Sequence, residues 1–355
     1  MADQQQHAVS RRGCETARRR PWVLALVVCA LVSACVDRPA PEEQTFTITD
    51  QLGRRVEVPR RLDRVTALHH FGGQILYALK QQHRVVEQVV YGRLALALAK
   101  VDPHFAALPV SLDGHGLNIE FLVSLRPQVA FVYASFSQAD MVQLENAGVK
   151  VIAVRGETLE ESFEAVRLMA TVLDCEKEGR AYLDDCRRLV ALVQDRLKDI
   201  PPNERRRVLF AGPKSIYTVA TGEMIQSQVL SLGGATNLAI GLKGFWAEVS
   251  PEQVATWNPE VIFLGSALED SYGIADIHAN SQFATIKAVR DRQIHVFPSN
   301  IAWWDYPAPN CVLGVVWTAR MLYPDRFADV DVRALADEFY AKYIGHTFTE
   351  MGGKL

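Results

Sequence analysis

Residues 176–198 read EKEGRAYLDDCRRLVALVQDRLK, and this stretch decides the fold. Ala181, Cys186, Leu189, Val193 and Leu197 recur at helical spacing among charged residues. The spacing predicts one helix from Glu176 to Lys198, roughly 35 Å long at about 1.5 Å per residue, the height of a small domain. Pro201-Pro202 stops it. A second helical segment begins at Leu159 and breaks near Asp174 to Lys177, and no strand pattern occurs in 159–200. A stiff helix without a Gly/Ser run holds whatever flanks it as a rigid clamp.

Both flanks alternate short apolar runs with helical patterns. On the N-terminal side, Thr45–Thr49 and Arg55–Val58 alternate like a hairpin around Asp50 to Gly53. Strands are expected at Arg64–Leu68, Val85–Val90, Val129–Tyr133 and Val149–Val154, with helices at Gly73–Lys80, Ile119–Ser124 and Ala139–Ala147. On the C-terminal side, Arg207–Phe210, Val261–Leu264 and Gln293–Phe297 read as strands. Met224–Leu232, Pro251–Thr256, Phe283–Val289, Cys311–Tyr323 and Asp331–Tyr343 read as helices. Alternation of this kind implies α/β lobes built on central, mostly parallel sheets covered on both faces. The expected divisions are an N-terminal lobe over 45–158, linker helices over 159–200 and a C-terminal lobe over 203–355.

The first residues carry an address. Arg18, Arg19 and Arg20 precede an apolar run from Trp22 to Val32, then Ser33, Ala34 and Cys35. Positive flank, short apolar segment and small-residue cleavage site make a signal peptide over 1–34. The run is short of the roughly 20 apolar residues that cross a bilayer. Val32-Ser33-Ala34-Cys35 resembles the bacterial lipobox, which implies lipidation of Cys35 and a polar tether over 35–44. The chain is expected to be exported and anchored by lipid, facing the periplasm or the cell exterior. Losing five Arg against Asp3 and Glu15 takes the formal charge from −3 to about −6. With no basic stripe left, nucleic acid is not expected as a partner. Cys175, Cys186 and Cys311 are too few and too widely spaced for a disulfide framework or a zinc motif, and read as buried small hydrophobes.

Two segments echo each other, one in each lobe. Gly116-Leu117-Asn118-Ile119-Glu120-Phe121-Leu122 leads to Arg126-Pro127-Gln128-Val129-Ala130-Phe131, and Val249-Ser250-Pro251-Glu252-Gln253-Val254 leads to Asn258-Pro259-Glu260-Val261-Ile262-Phe263. Each runs turn, Glu on a short helix, x-Pro-x-Val and buried strand. With the long helix, the glycine turn in Ser231–Leu238 and the Phe245-Trp246 pair, the chain resembles the periplasmic substrate-binding proteins of ABC importers for iron–siderophores, haem and cobalamin. The likeness runs from Phe46 to about Gly345. It implies the class III periplasmic-binding-protein fold, two lobes joined by one long helix. It implies as partners a permease dimer with its cytoplasmic ATPase, docked through Glu120 and Glu252, with Glu248 and Glu260 as competitors for the second position. It implies a bound iron or cobalt chelate, with ferric siderophore ahead of haem and cobalamin, and no cofactor.

Ligand contacts are expected on loops at strand ends. His69 and His70 directly follow a strand and suit a metal or an oxygen-rich chelate, although adjacent side chains diverge and one of them also suits a helix cap. Tyr91 and Arg93 follow the next run; a tyrosinate suits ferric iron and the guanidinium a carboxylate, with packing an equal reading for Tyr91. Their loop is expected to run on through Pro103-His104 to Gly116. Lys214 and Tyr217 follow the first strand of the second lobe, and Trp246 sits where cobalamin-binding members place a ligand-facing tryptophan. Trp303, Trp304, Asp305 and Tyr306 form an aromatic loop with an acid, suited to a flat chelate. His69, His70 and Tyr91 are the candidate metal ligands, and no residue is assigned to catalysis. The rival readings are a metal-chelatase-like enzyme acting on a tetrapyrrole and a binder of a simpler species such as molybdate. No G-x-S-x-G, H-E-x-x-H, C-x-x-C or phosphate-loop motif occurs to support an enzyme.

Overall fold

A capping box opens the linker. The Thr158 hydroxyl accepts the Glu161 N–H at 3.1 Å, and the Glu161 carboxylate accepts the Thr158 N–H at 3.3 Å, starting the helix Leu159–Val172. Asp174, at φ 54°, turns the chain, and the second linker helix runs Glu176–Leu197. Tyr182, Cys186, Leu189, Val193 and Leu197 form its buried face. Tyr182 and not the exposed Ala181 lies on this stripe, because 182 and 186 are four residues apart and 181 and 186 are five. Gly179 lets the two linker helices close, since a Cβ there would lie 2.8 Å from Ala170 Cβ.

The computed structural model describes residues 44–113, 116–265 and 273–355. The signal peptide, Cys35 and the tether before Gln44 lie outside the described residues, as do Gly114 and His115.

In the first lobe, β1 (Thr45–Thr49) and β2 (Arg55–Pro59) form an antiparallel hairpin. The buried Asp50 carboxylate accepts the amides of Leu52 and Arg54 and reaches the Ala153 amide at 3.2 Å, tying the turn to the next sheet. That sheet is parallel, in the order β3 (Val65–Ala67), β6 (Val129–Tyr133), β7 (Lys150–Val154). A minimal pair, β4 (Leu112–Asp113) and β5 (Gly116–Leu117), lies apart from it.

The second lobe carries a six-stranded sheet. Its order is β11 (Ala247–Glu248), β9 (Ser215–Val219), β8 (Arg206–Gly212), β12 (Val261–Leu264), β13 (Ile294–Val296), with β10 (Ala235–Asn237) also paired to β8. β10, β12 and β13 continue the parallel arrangement of β8, whereas β9 and β11 are antiparallel additions. The architecture is the two-lobed α/β clamp that the sequence implies. One continuous core runs from Phe131 and Ile152 through Leu189 and Val193 to Phe210, Phe263 and Trp317. The linker helix is thus part of the core of both lobes, each buried Leu or Val side chain contributing about 1.5–3 kcal/mol.

Three expectations change. Val85–Val90 is not a strand: it makes one bridge, Val65 to Val85, and then leaves the sheet. Beyond the bridge its bonds turn to residues 109–111: the Gln88 amide donates to the Pro109 carbonyl, and the buried Glu87 carboxyl accepts the Ser111 amide as well as the Thr66 hydroxyl of β3. The long loop after Tyr91 is two helices, Gly92–Val101 and Pro103–Ala107, the first burying Leu94, Ala97 and Leu98. Phe283–Val289 is broken into short turns, since Ile286 is extended and Asn258 Oδ1 caps the Lys287 N–H. Cys175, Cys186 and Cys311 are free thiols, all buried, and burial pushes each of them up.

Candidate ligand-binding site

The carboxyl ends of β3 and β13 lead into the loops at His69 and at Phe297 to Pro307, the position where open α/β sheets bind ligands. Between these loops lies a cavity of about 270 Å³. The first lobe lines it with His70, Gln74, Tyr91, Gly92, Arg93 and Leu94, and the second with Ile301, Ala302, Trp303 and Tyr306. No Asp or Glu is among the described residues along its wall.

The adjacent histidines divide their work. His69 is the N-cap of the helix His70–Ala78: its Nδ1 accepts the Phe71 N–H at 3.3 Å. Its ring stacks on Tyr133, centroids 4.4 Å apart. His70, one residue further, lines the cavity, and its ring lies 5.9 Å from that of Tyr306 in the other lobe. Burial holds both imidazoles uncharged at neutral pH, His69 down to about 3 with help from the neighbouring His70, and His70 to about 4. His70 Nε2 is buried and without a hydrogen-bond partner.

On the opposite wall, the Trp303 and Tyr306 rings pack with centroids 4.7 Å apart. Trp303 Nε1 is also buried without a partner. Tyr91 lends its ring to the wall, but its hydroxyl donates to the Ala67 carbonyl at 3.1 Å. Burial raises that phenol, and Glu87 adds to the shift, so in this structure Tyr91 is a neutral phenol engaged with the backbone.

The sequence profile of the periplasmic binding protein family matches residues 65–301. The chain belongs to the periplasmic binding protein family. Its relatives in that family are binding proteins of ABC importers, which are exported to the periplasm. The molybdate-binding protein MolA of Haemophilus influenzae is 28% identical over 342 residues, covering 90% of this chain and 95% of the relative. A vitamin B12-binding protein of Salmonella typhi is 26% identical over 200 residues, covering 56% and 70%. Among solved structures, molybdate-bound MolA superposes with a TM-score of 0.73 at 25% identity, covering 85% of this chain and 98% of that one.

Several of the binding protein's expected contacts lie elsewhere. Trp304 is fully buried; its Nε1 donates to Tyr340 at 3.2 Å and its ring packs on Phe348, so it is a core residue. Asp305 is buried too, with Oδ2 facing Gly265. Tyr217 packs on Phe283 in a cluster on the other face of the second sheet. Lys214 is exposed at the β8–β9 turn. Trp246 covers Gly212, where a Cβ would meet its ring at 2.8 Å, and packs near Phe210 outside the cavity. The aromatic loop thus divides: Trp303 and Tyr306 turn to the cavity, Trp304 and Asp305 inward.

Of the lining residues that the sequence reading missed, Gly92, Leu94, Ile301, Ala302 and Gln74, only Gln74 carries a polar side chain. It lies four residues after His70 on the same helix face, a signal that was available. A second omission is the Tyr133–Glu157 pair, hydrogen-bonded at 2.5 Å beneath the His69 ring.

Glu120 and Glu252 both occupy the first turn of short helices and are exposed, behind the capping residues Asn118 and Ser250. Hydrogen bonding to its own backbone N–H and to Ser250 holds the Glu252 carboxyl below its ordinary range. The competitors are engaged: Glu248 accepts the Thr218 hydroxyl at 2.8 Å and Glu260 the Arg207 amide at 3.1 Å. A larger open groove of about 890 Å³ carries His295, Trp317 and Arg320, but it is bordered by the second lobe alone and is no part of the clamp.

Proposed function

We propose that this binding protein captures a small metal oxyanion of the molybdate kind between its lobes and delivers it to the permease of an ABC importer, catalysing no reaction itself. The cavity carries this reading. At about 270 Å³ it falls just below the roughly 300–1,000 Å³ of pockets for drug-sized ligands. A tetrahedral oxyanion fits with a few waters, at about 30 Å³ each. A haem, a corrin or a bulky ferric siderophore, the iron or cobalt chelates expected from the sequence, needs a wider cleft. The absence of carboxylates along the described wall favours an anion. The molybdate-binding relative also matches nearly the whole of both chains, whereas the vitamin B12-binding relative matches little more than half of this one.

Isothermal titration of the mature protein tests the reading. Molybdate and tungstate should bind saturably, and cobalamin and haem should not. Protein isolated from its host with a Soret or corrin band would overturn it.

One observation favours a second reading, a compact metal complex. His70 offers an uncharged imidazole nitrogen with no partner, the state in which histidine ligates metals. A ligand-field band appearing on addition of a divalent metal, and lost in His70→Gln, would support it.

Delivery follows from the rest of the chain. Lipid on Cys35 would keep the clamp at the membrane, and Glu120 and Glu252 would each engage a basic site on the permease dimer. Cys35→Ala should move the protein from the membrane fraction to the soluble periplasmic fraction; retention at the membrane would remove the lipid from the account.

A further inference from the structure

We propose that the cavity selects fully deprotonated oxyanions over protonated ones through two hydrogen-bond donors supplied by opposite lobes, His70 Nε2–H and Trp303 Nε1–H. This rests on the oxyanion reading above and specifies which members of that class are taken.

Buried polar atoms in folded proteins are almost always paired, so each exception asks for a cause. Here two exceptions line one cavity, one in each lobe. An indole N–H can only donate. The imidazole is neutral in the working range, and against an oxyanion, which offers only lone pairs, the tautomer with its one proton on Nε2 supplies an N–H without adding charge. Arg93 is another donor-only group on the same wall. The acceptors are few and uncharged. Gln74 has an amide oxygen, and Tyr91, whose proton points to Ala67, has only lone pairs to offer.

A tetrahedral dianion without protons presents acceptors in every direction and satisfies both orphan donors at once. Hydrogen phosphate brings an O–H that calls for a strong acceptor, and no carboxylate is present among the described lining residues to receive it. A polar group left unpaired when the ligand is buried rejects it far more strongly than a small misfit of apolar shape does. Because the two donors belong to different lobes, the anion that satisfies both also bridges the cleft.

The test is a titration at pH 7.5 with molybdate, tungstate and phosphate, on the full mature protein and on Trp303→Phe. Molybdate should bind the parent protein at least a hundredfold more tightly than phosphate. Trp303→Phe keeps an aromatic ring but removes the donor, and should weaken molybdate by about tenfold or more. Trp317→Phe, which loses an indole outside the cavity, should bind as the parent does. In the parent protein, the indole N–H resonance that disappears in Trp303→Phe should shift when molybdate is added, which reads the contact without relying on a variant's folding. Phosphate within tenfold of molybdate, or an unmoved Trp303 resonance at saturating molybdate, would overturn the donor pair while leaving the oxyanion reading intact. A parent protein that binds no oxyanion at all would overturn both.

Discussion

A Cβ built on Gly73 would lie 1.7 Å from the carbonyl oxygen of Val89. The helix that carries His70 and Gln74 is therefore pressed directly onto the backbone leading to Tyr91 and Arg93, and this contact makes one continuous wall of them. Gly73→Ala would gain up to about 1 kcal/mol of helix propensity. It would also force helix and segment apart, because the obstructing atom belongs to the backbone, and overpacking of that kind costs about 1–3 kcal/mol or more. The second effect wins. Urea denaturation should show a net loss of stability, and titration a loss of ligand affinity larger than that of a distant variant of equal stability.

The two imidazoles set a pH dependence whose sign is fixed. In the folded protein His69 titrates near 3 and His70 near 4, against about 6.5 in the unfolded chain. Their folded pKa values are depressed, so between pH 6.5 and 4 the unfolded chain binds protons that the folded one refuses. Stability is fully present above pH 6.5 and falls as the pH drops toward 4, by up to about 1.4 kcal/mol per pH unit for each histidine. Denaturation midpoints from pH 7.5 to 4.5 measure this, and His70→Gln should flatten the slope. Molybdate affinity should stay level between pH 6 and 8, since His70 carries no charge to lose there.

Trp304 and Trp303 are neighbours with opposite assignments. Trp304→Phe removes the bond to Tyr340 and leaves space beside Phe348, and should cost about 1–3 kcal/mol of stability without changing ligand affinity. A changed affinity in a still-folded Trp304→Phe protein would return this residue to the site.

What was legible in the sequence follows from what is periodic. The linker helix, the buried strands and the glutamate segments are repeats of spacing or of motif, and spacing survives without coordinates. The phase of the linker helix was legible from Cys186 to Leu197, and only its first member was misplaced, at Ala181 instead of Tyr182, because Tyr182 looks amphipathic while Ala181 looks apolar. Val85–Val90 has the composition of a strand, and only tertiary bonds, of Gln88 to Pro109 and of Glu87 to Ser111, show that it leaves the sheet. The cavity was half legible. His70, Tyr91, Arg93, Trp303 and Tyr306 were named from their loops, but composition alone could not say which of four consecutive residues, Trp303 to Tyr306, turn inward. That is decided by Tyr340, Phe348 and Gly265, distant in sequence and adjacent in space.

The docking assignment separates most sharply from ligand capture. Glu120 and Glu252 are exposed and neither lines the cavity. Exposed carboxylates of this kind contribute little to stability, so Glu120→Gln and Glu252→Gln should each leave the melting temperature and the oxyanion affinity unchanged. Both should slow uptake in cells, and the double variant should nearly abolish it, because one lobe docked alone cannot hold the clamp across a permease dimer. Raising the salt concentration should weaken the parent protein's binding to permease in vesicles more steeply than that of either variant, since each substitution removes a charge pair. Glu260→Gln is the informative comparison. Its carboxylate already accepts the Arg207 amide and lies 3.8 Å from Arg206, so its loss should lower stability and leave uptake per folded molecule intact. Normal uptake by the Glu120 and Glu252 double variant would refute the docking role outright.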